Sequence, residues 1–566
     1  MKKLVSIFVA LIMILTLCIP VFAEDANNTE AVKTTIKVEN ANGRTYVGYQ
    51  LMTLTTSLKT GEHHPDDCDN VNHDPDCYNY AYKINPKYST ILKTEAHDNA
   101  GTDFWGVMGK PAVGDVTDDQ VMQYLSKLSS DLDDGTYGTL RRAADRIYRA
   151  IIAANLGADT DPAATTEFAN VGQGYWMIAD VTTETNAAND VYSLVMLNTA
   201  GEKELVLAPK TDLPTISKKV QDINDTEDQH VEDNAWEDSA DHDINDVVPF
   251  KLTATLPSNV RAYSLLNTQT YSLTFHDELD KAFVLNEDSI KVYMYQYDYK
   301  ANLDVEFKNP QYVIADGKFN KNITTDAEGN TKIEIGFDNV FAINGIAATE
   351  ITPDTVFVVH YTATLNGTDA DGNSLVKVGA AGNVNEAYLE YSNNPYTDGK
   401  AFTEPVKATV YTYGLIINKV DIHEHALKGA GFTLSKFDST TGQFKVVSEI
   451  YDPESTQFVW NGLDDGEYKL EEHVVPSGYN AMAPIVFDIT ANHTVDSMTN
   501  LSAEDTIGAD DDGNGIIEQK IVNKTGTVLP STGAAGTMWL IFGGAMLIGF
   551  AAVFMITRKK MSVYED

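Results

Sequence analysis

Apolar and polar residues alternate in short runs along most of the chain, which is the pattern of β-strands with one buried face. In the first part of the chain the runs are residues 35–38, 45–51, 175–181 and 190–196. Two stretches between them, residues 118–132 and 138–156, instead place apolar side chains at helical spacing. The pattern predicts a β domain with a helical insertion over residues 24–211.

The next part, residues 212–410, consists of short alternating runs separated by Asn, Asp, Gly or Pro. The predicted strands are residues 251–256, 270–275, 289–295, 332–337, 356–365 and 387–391. Many short strands without a helical pattern indicate a sandwich of the immunoglobulin kind, and residues 411–526 repeat the pattern in a smaller unit. The predicted fold class is therefore mainly β, with tandem immunoglobulin-like sandwiches after the first domain.

Three polar side chains interrupt apolar strand faces in the second region. Lys218, Asp277 and Asn385 each share a face with apolar residues two positions away. Burying them would be costly unless they meet. Burial lowers the pKa of a lysine and raises that of a carboxylic acid. A neutral Lys218 amine could then attack the Asn385 side-chain carbonyl, polarised by a protonated Asp277, with loss of ammonia. Lys219 and Asn383 are nearby alternatives.

The two ends of the chain carry targeting patterns. Residues 1–23 have a basic start, an apolar stretch and small residues before a cleavage position, which predicts a secretory signal. Near the other end, an apolar run at 538–556 is long enough to cross a bilayer, and the basic residues that follow would stay cytoplasmic. Most of the chain is therefore expected outside the cell.

The segment before that apolar run is Leu529, Pro530, Ser531, Thr532 and Gly533. With the span and the basic tail it resembles the cell-wall sorting signal of Gram-positive surface proteins, here residues 527–566. The resemblance implies that a membrane sortase cleaves between Thr532 and Gly533. A plain single-span anchor is the alternative.

The net charge of the chain limits the kinds of molecule that it can bind, and its cysteines indicate a disulfide or a metal site. The formal net charge of −41 argues against nucleic acid or anionic lipid, because both require a basic face. Once the signal is removed, Cys68 and Cys77 are the remaining cysteines, and in an exported chain a disulfide between them is the default. A metal held by these thiolates and nearby histidines such as His73 is the alternative. No metal and no cofactor are predicted.

Residues 468–479 of the third region resemble the E-box of Gram-positive pilins, and residues 382–395 of the second resemble the final strand of a pilin domain of the collagen-adhesin A type. These domains form intramolecular isopeptide bonds. The resemblance implies Lys218, Asp277 and Asn385 as nucleophile, acid and acceptor of an A-type domain. In the third region the resemblance implies a B-type domain. There Lys419 would be the nucleophile, Glu472 the acid and Asn523 the acceptor.

Prolines bracket a lysine at the junction between the first two regions, and the Pro209-Lys210 pair is similar to the linking segment of shaft pilins. The resemblance implies that Lys210 accepts the sortase-activated Thr532 of a neighbouring subunit.

The resemblance to a sortase-assembled backbone pilin implies a structural shaft subunit that supports adhesion and is attached covalently to the cell wall. Its implied partners are a pilus sortase, identical subunits, accessory pilins, peptidoglycan and a host ligand, with no nucleic acid. The sequence lacks common phosphate-binding, metalloprotease and serine-hydrolase motifs, so turnover of an external substrate is not expected. The alternatives are a monomeric wall-anchored adhesin that binds through the Cys68–Cys77 region, and an accessory or basal pilin.

Overall fold

The structure is a computed structural model of the 566-residue chain. It describes residues 33–39, 44–58, 78–106, 109–129, 139–161, 166–182, 192–207, 213–223, 236–264, 270–296, 310–396, 399–503, 507–509 and 513–526. The signal segment, Cys68, Cys77, Lys210 and the sorting signal fall outside these residues. Within the described part, no helix is both long and apolar enough to cross a membrane.

The first region contains two small sheets and a group of helices. Its strands are β1 (Lys33–Val38), β2 (Tyr46–Leu58), β3 (Tyr78–Ile84), β4 (Glu167–Gly172), β5 (Gly174–Asp180), β6 (Leu194–Asn198) and β7 (Glu204–Leu207), and its helices are α1 (Ser89–Asn99), α2 (Thr102–Trp105), α3 (Asp118–Ser126) and α4 (Thr139–Ala153). The sheet orders are β4-β1-β7 and β3-β2-β5-β6. The predicted β domain with a helical insertion is confirmed.

Helix α1 was not predicted from the sequence. Its buried face includes Glu95 as well as Leu92 and Ala96, so the apolar pattern is interrupted. The Glu95 carboxylate is satisfied inside the protein, since it accepts hydrogen bonds from the Arg146 guanidinium and the Tyr124 hydroxyl. Pairing with residues distant in sequence thus allows a charged residue on the buried side of a helix.

The second region is a two-sheet sandwich, as predicted. Its elements are β8 (Ile216–Gln221), β9 (Trp236–Glu237), β10 (Ser239–Asp241), β11 (Val247–Thr255), α5 (Arg261–Ser264), β12 (Leu273–Leu279), β13 (Val284–Gln296), β14 (Tyr312–Ile314), β15 (Asn320–Thr325), β16 (Thr331–Phe337), β17 (Thr355–Thr364), β18 (Asn383–Ser392), β19 (Lys400–Phe402) and β20 (Val406–Tyr411). One sheet has the order β10-β20-β18-β12-β16-β15, with β19 against β18, and the other has the order β14-β13-β17-β11-β8-β9.

Residues 382–395 do not form the final strand of this sandwich. They contain β18, which is followed by β19 and β20. Strand β20 pairs antiparallel with β18, with Asn385 opposite Ala408, and continues almost directly into the third region. The acceptor candidate Asn385 therefore lies on an inner strand, flanked by β12 and β20.

The third region is a smaller sandwich. Its strands are β21 (Tyr413–Val420), β22 (Gly431–Asp438), β23 (Gln443–Tyr451), β24 (Gln457–Leu463), β25 (Gly466–Val474), β26 (Ile485–Thr494), β27 (Ser497–Ala503), β28 (Gly508–Ala509) and β29 (Ile516–Val522). They form sheets of order β24-β21-β29 and β23-β22-β25-β26-β27-β28. The first strand β21 runs parallel to the last strand β29, so residues from both ends of the region become neighbours.

Side chains connect successive regions. The second and third regions meet where the Lys436 ammonium contacts the Asp243 carboxylate at 2.6 Å and the Tyr413 hydroxyl donates to Asp241 at 2.6 Å. The first and second meet at Tyr396, whose ring packs edge-on against Tyr148 of α4. Separate apolar cores nevertheless occupy the helical part, the second region and the third region. The boundaries at residues 211/212 and 410/411 stay predictions.

Candidate intramolecular cross-link sites

The sandwich of the second region brings Lys218, Asp277 and Asn385 together between its two sheets. Lys218 comes from β8 in one sheet, whereas Asp277 and Asn385 come from β12 and β18 in the other. The three residues are only 2 %, 3 % and 0 % exposed, so alternation places them in the core as expected. Asp277 faces Ala387 across the strand pair, and Asn385 faces Leu279, so the two polar side chains are diagonal neighbours.

A network of hydrogen bonds joins these groups. The Lys218 ammonium nitrogen lies 2.6 Å from Asp277 Oδ2, and the same oxygen accepts a hydrogen bond from the Tyr361 hydroxyl at 2.8 Å. The Asn385 amide nitrogen donates to that hydroxyl at 2.5 Å. The candidate nucleophile, acid and acceptor are therefore connected through one carboxylate oxygen and one phenol.

Burial favours the uncharged forms of this pair. It lowers the pKa of the Lys218 amine, against the opposing effect of Asp277. It raises the pKa of the Asp277 carboxyl, again against the opposing effect of its partner. Asp277 Oδ1 and Asn385 Oδ1 are both buried acceptors without a hydrogen-bond donor. Protonation of Asp277 would turn its carboxyl group into a hydrogen-bond donor, which is the kind of group that polarises an amide carbonyl such as that of Asn385 toward attack.

The two alternative residues of this region lie elsewhere. The Lys219 side chain leaves the core on the opposite face of β8 and pairs with Asp238 at 3.0 Å. The Asn383 amide is buried, but it donates to the backbone carbonyl groups of Lys377 and Val410. Both side chains are thus engaged with other partners, so the geometry favours Lys218 and Asn385.

In the third region the parallel pair β21 and β29 positions a second group. Lys419 is opposite Ile521 in this pair, and the backbone N–H of Asn523 donates to the carbonyl of Val420 at 3.0 Å. Lys419 and Asn523 are 0 % and 1 % exposed. The Asn523 amide nitrogen donates to Glu472 Oε1 at 2.8 Å, and Glu472 Oε2 accepts from the backbone N–H of Met482 at 3.0 Å.

The Lys419 amine has an electrostatic environment suited to a nucleophile. It donates to the backbone carbonyl of Ile521 at 3.0 Å, and burial lowers its pKa to about 8 although Glu472 opposes the shift. Asn523 Oδ1 is buried without a hydrogen-bond donor. A lysine, a carboxyl group and an asparagine thus meet in this region too, with Glu472 half-buried at the edge of the core.

The Lys419 pKa gives a pH prediction for any reaction of its amine. Only the neutral amine is a nucleophile, so the initial rate of bond formation to Asn523 should rise about tenfold per pH unit below pH 8 and level off above it. The measurement is intact mass against time after cell-free synthesis at several pH values, followed by peptide mapping of the Lys419–Asn523 link. A rate independent of pH between 6 and 8 would contradict this role.

Tyr361 was not singled out from the sequence. It lies in β17, within a run that reads as an ordinary buried strand. Tyrosines are common in such strands, and alternation alone does not distinguish a hydroxyl that meets catalytic groups from one that meets a backbone carbonyl. Its role becomes visible only when the two sheets are packed together.

An acidic cluster lies at the junction of the second and third regions. Three groups of side chains there each offer ligand atoms within 4.8 Å of one another: Asp222, Asp241 and His493; Asp241, Asp464 and Asp465; and Asp243, Asp246 and Asp464. The Lys436 ammonium already contacts Asp243 and Asp464, at 2.6 and 3.1 Å. The cluster is thus partly neutralised by protein cations, and we assign no metal to it.

Comparisons with known proteins agree with this architecture. Residues 414–502 match the SpaA family, described as a prealbumin-like fold domain, and residues 521–562 match the LPXTG cell wall anchor motif. The trypsin-resistant surface T6 protein of Streptococcus pyogenes is 24% identical over 397 residues, which are 55% of this chain and 68% of the relative.

Two pilins are among the solved structures to which the chain is similar. The T6 backbone pilin of S. pyogenes has a TM-score of 0.44 at 14% identity, over 88% of this chain and 98% of that one. The major pilin SpaD of Corynebacterium diphtheriae has a TM-score of 0.39 at 15% identity, over 89% and 100%. A SpaA prealbumin-like domain lies directly before an LPXTG anchor motif, so the chain is a surface protein attached to the cell wall.

Proposed function

We propose that the chain is the structural shaft subunit of a covalently polymerised surface pilus. In this proposal a pilus sortase cleaves after Thr532 and joins that residue to Lys210 of the next identical subunit. The observation that carries the proposal is that each of the two sandwiches between Lys210 and Thr532 contains a lysine, an acid and an asparagine close together at its core. Accessory pilins, peptidoglycan and a host ligand are its further partners.

The positions of the two groups fit a fibre under tension. Lys218 lies on the first strand after Lys210, and Asn523 lies a few residues before Thr532. With bonds from Lys218 to Asn385 and from Lys419 to Asn523, a pull between neighbouring subunits runs from one bond to the next. The strands between the two residues of each bonded pair are bypassed, so there the load is carried by a covalent bond instead of by hydrogen bonds that can separate one at a time. Residues 386–418, which lie between the two bonds, stay in the path of the load.

Each bond is formed once, without turnover of an external substrate. The neutral lysine amine attacks the asparagine side-chain carbonyl, an amide forms, and ammonia leaves. Asp277 or Glu472 transfers protons and ends the reaction unchanged. The protein is therefore structural, and its own chemistry is limited to these two autocatalytic steps.

Replacing the proposed linking lysine tests the shaft role. In boiled, detergent-treated wall extracts of the native host, the wild type should give a high-mass ladder, and Lys210→Ala should give the monomer only, because no acceptor amine remains. Lys203→Ala is the matched control, since Lys203 is an exposed lysine shortly before the same junction. It should keep the ladder.

The other outcomes separate the alternatives. A ladder that persists in Lys210→Ala means that another lysine joins the subunits. A wild type without any ladder contradicts the shaft role and leaves a monomeric wall-anchored adhesin as the better description.

A further inference from the structure

The Tyr361 hydroxyl occupies the centre of the Lys218 site. It donates to Asp277 Oδ2 at 2.8 Å and accepts from the Asn385 amide nitrogen at 2.5 Å, and the Lys218 nitrogen lies 3.4 Å from it. One hydroxyl thus contacts the acid, the acceptor and the nucleophile. Tyr361 itself is 1 % exposed, so bulk water does not compete for these contacts.

The ring of Tyr361 is held firmly by its neighbours. It stacks on the Phe250 ring with centroids 5.4 Å apart and planes 27° apart, and both residues lie on strands paired in register, β11 and β17. Close packing of this kind leaves the phenol little freedom, because a buried aromatic ring cannot swing without displacing its neighbours. The hydroxyl is therefore preorganised with respect to the amide that it contacts.

The contact also fixes which way the Asn385 amide faces. Because Nδ2 donates to Tyr361, the carbonyl oxygen of the same amide is turned away from the hydroxyl and left without a donor. In that orientation Asn385 Oδ1 can accept a hydrogen bond from a protonated Asp277, and Asn385 Nδ2, the nitrogen that leaves as ammonia, points at the Tyr361 hydroxyl. On the basis of the isopeptide chemistry proposed above, we propose that Tyr361 positions the Asn385 amide and relays a proton from Asp277 to the departing nitrogen.

The bond forms in one sequence of proton transfers within this site. As the Lys218 nitrogen forms a bond to Cγ of Asn385, the protonated Asp277 gives its proton to the developing oxyanion on Asn385 Oδ1. The resulting Asp277 carboxylate then accepts one proton from the Lys218 nitrogen through Oδ2. The Asn385 nitrogen, now tetrahedral, has a lone pair that is no longer shared with the carbonyl, so it can accept a proton. Tyr361 gives its hydroxyl proton to this nitrogen and takes one from Asp277. The bond between Cγ and Nδ2 breaks, ammonia leaves, and the carbonyl reforms as the proton on Oδ1 returns to Asp277. Both Asp277 and Tyr361 thereby regain their starting protonation.

Burial keeps the phenol in its protonated form until it is needed. Desolvation raises the pKa of Tyr361 well above its ordinary value, and Asp277 adds to the shift. A stable phenolate is therefore not part of the relay, and proton donation and acceptance must occur together. This behaviour fits a hydroxyl that bridges two partners, as its contacts with Asp277 and Asn385 indicate.

The third region provides an internal comparison. There the Asn523 nitrogen donates directly to the carboxylate oxygen of Glu472 at 2.8 Å, so the acid and the leaving nitrogen are in contact without an intervening hydroxyl. Proton transfer at that site needs no relay. The two sites of one molecule should therefore respond differently to loss of the Tyr361 hydroxyl.

The experiment compares the wild type with Tyr361→Phe, each made as residues 24–532 by cell-free synthesis. After translation is stopped, intact mass is followed with time, and peptide mapping assigns each lost ammonia to the Lys218–Asn385 or the Lys419–Asn523 link. Tyr263→Phe is the matched control, because it removes another buried hydroxyl of the same core, one that donates to the backbone carbonyl of Ser392 at 2.9 Å.

We expect Tyr361→Phe to slow the Lys218–Asn385 link at least tenfold and to leave the other link at the wild-type rate, while Tyr263→Phe changes neither. Equal rates in Tyr361→Phe and the wild type would overturn the relay while leaving the proposed bonds intact. A wild type that loses no ammonia at all would overturn the isopeptide chemistry itself, and the relay with it.

A second measurement separates the relay from simple packing. In an Asp277→Ala background, where no Lys218–Asn385 bond can form, the melting temperatures of Tyr361→Phe and Tyr263→Phe should fall by similar amounts. A much larger fall for Tyr361→Phe would mean that the hydroxyl acts through the stability of the fold, which would overturn the proposal.

Discussion

Replacing Asp277 by alanine should abolish the Lys218–Asn385 link, so that the deficit of the measured mass against the mass calculated from the sequence shrinks by one ammonia. It should also leave the buried Lys218 amine without the carboxyl partner that lies 2.6 Å away. By the chain-entropy argument used for disulfides, loss of a link that closes so long a loop costs about 5 kcal/mol. The expected fall in melting temperature of the second region is on the order of 10 °C or more, measured by calorimetry.

A surface acid provides the control for Asp277→Ala. Asp238 is exposed and pairs with Lys219, which neighbours Lys218 in sequence but points away from the core. Asp238→Ala should leave both the mass deficit and the melting temperature unchanged, since exposed ion pairs contribute little. If Asp277→Ala keeps the wild-type mass deficit, Asp277 is not the acid of this site.

Replacing Glu472 by alanine should have an equally large effect on the third region. The Asn523 amide would lose the Glu472 carboxylate to which it donates, so the Lys419–Asn523 link should not form. The mass deficit against the calculated value should again shrink by one ammonia. Because β21 and β29 are the first and last strands of this sandwich, the region would lose its covalent closure. For a unit of this size the expected fall in melting temperature is about 20 °C.

The neighbouring residue is the control for this variant. Glu471 lies on the opposite face of β25 and forms an ion pair with Lys469 at 2.8 Å. Glu471→Ala should keep the link and the stability. A wild-type mass deficit in Glu472→Ala, or loss of the link in both variants, would contradict the assigned role of Glu472.

The candidate sites were predictable because strands have a period of two. On β8 and β21, the same alternation that buries Ile216 and Ile417 also buries Lys218 and Lys419. A lysine in that position is expensive to bury and therefore conspicuous in the sequence. Alternation also singled out Asp277 and Asn385, but it does not say which strands become neighbours. The roles of Glu472 and Asn523 were assigned with the help of a family resemblance.

Other features depend on contacts between residues far apart in sequence. Helix α1 buries Glu95 against Arg146, and the Tyr361 hydroxyl meets Asp277 and Asn385 only after two sheets pack face to face. The position of Asn385 on an inner strand follows from the return of β20 beside β18, which no local pattern in residues 382–395 indicates. Pairing partners of this kind are set by tertiary structure, not by local preference.

The intact mass of the wild-type chain over residues 24–532, with peptide mapping of its links, tests the central claim most directly. If both buried groups react, the mass should be short by two ammonias, and the linked peptides should join Lys218 to Asn385 and Lys419 to Asn523. The mass is measured after reduction, so that a Cys68–Cys77 disulfide does not contribute. A full mass with no linked peptides would contradict the account of this protein as a covalently reinforced shaft subunit.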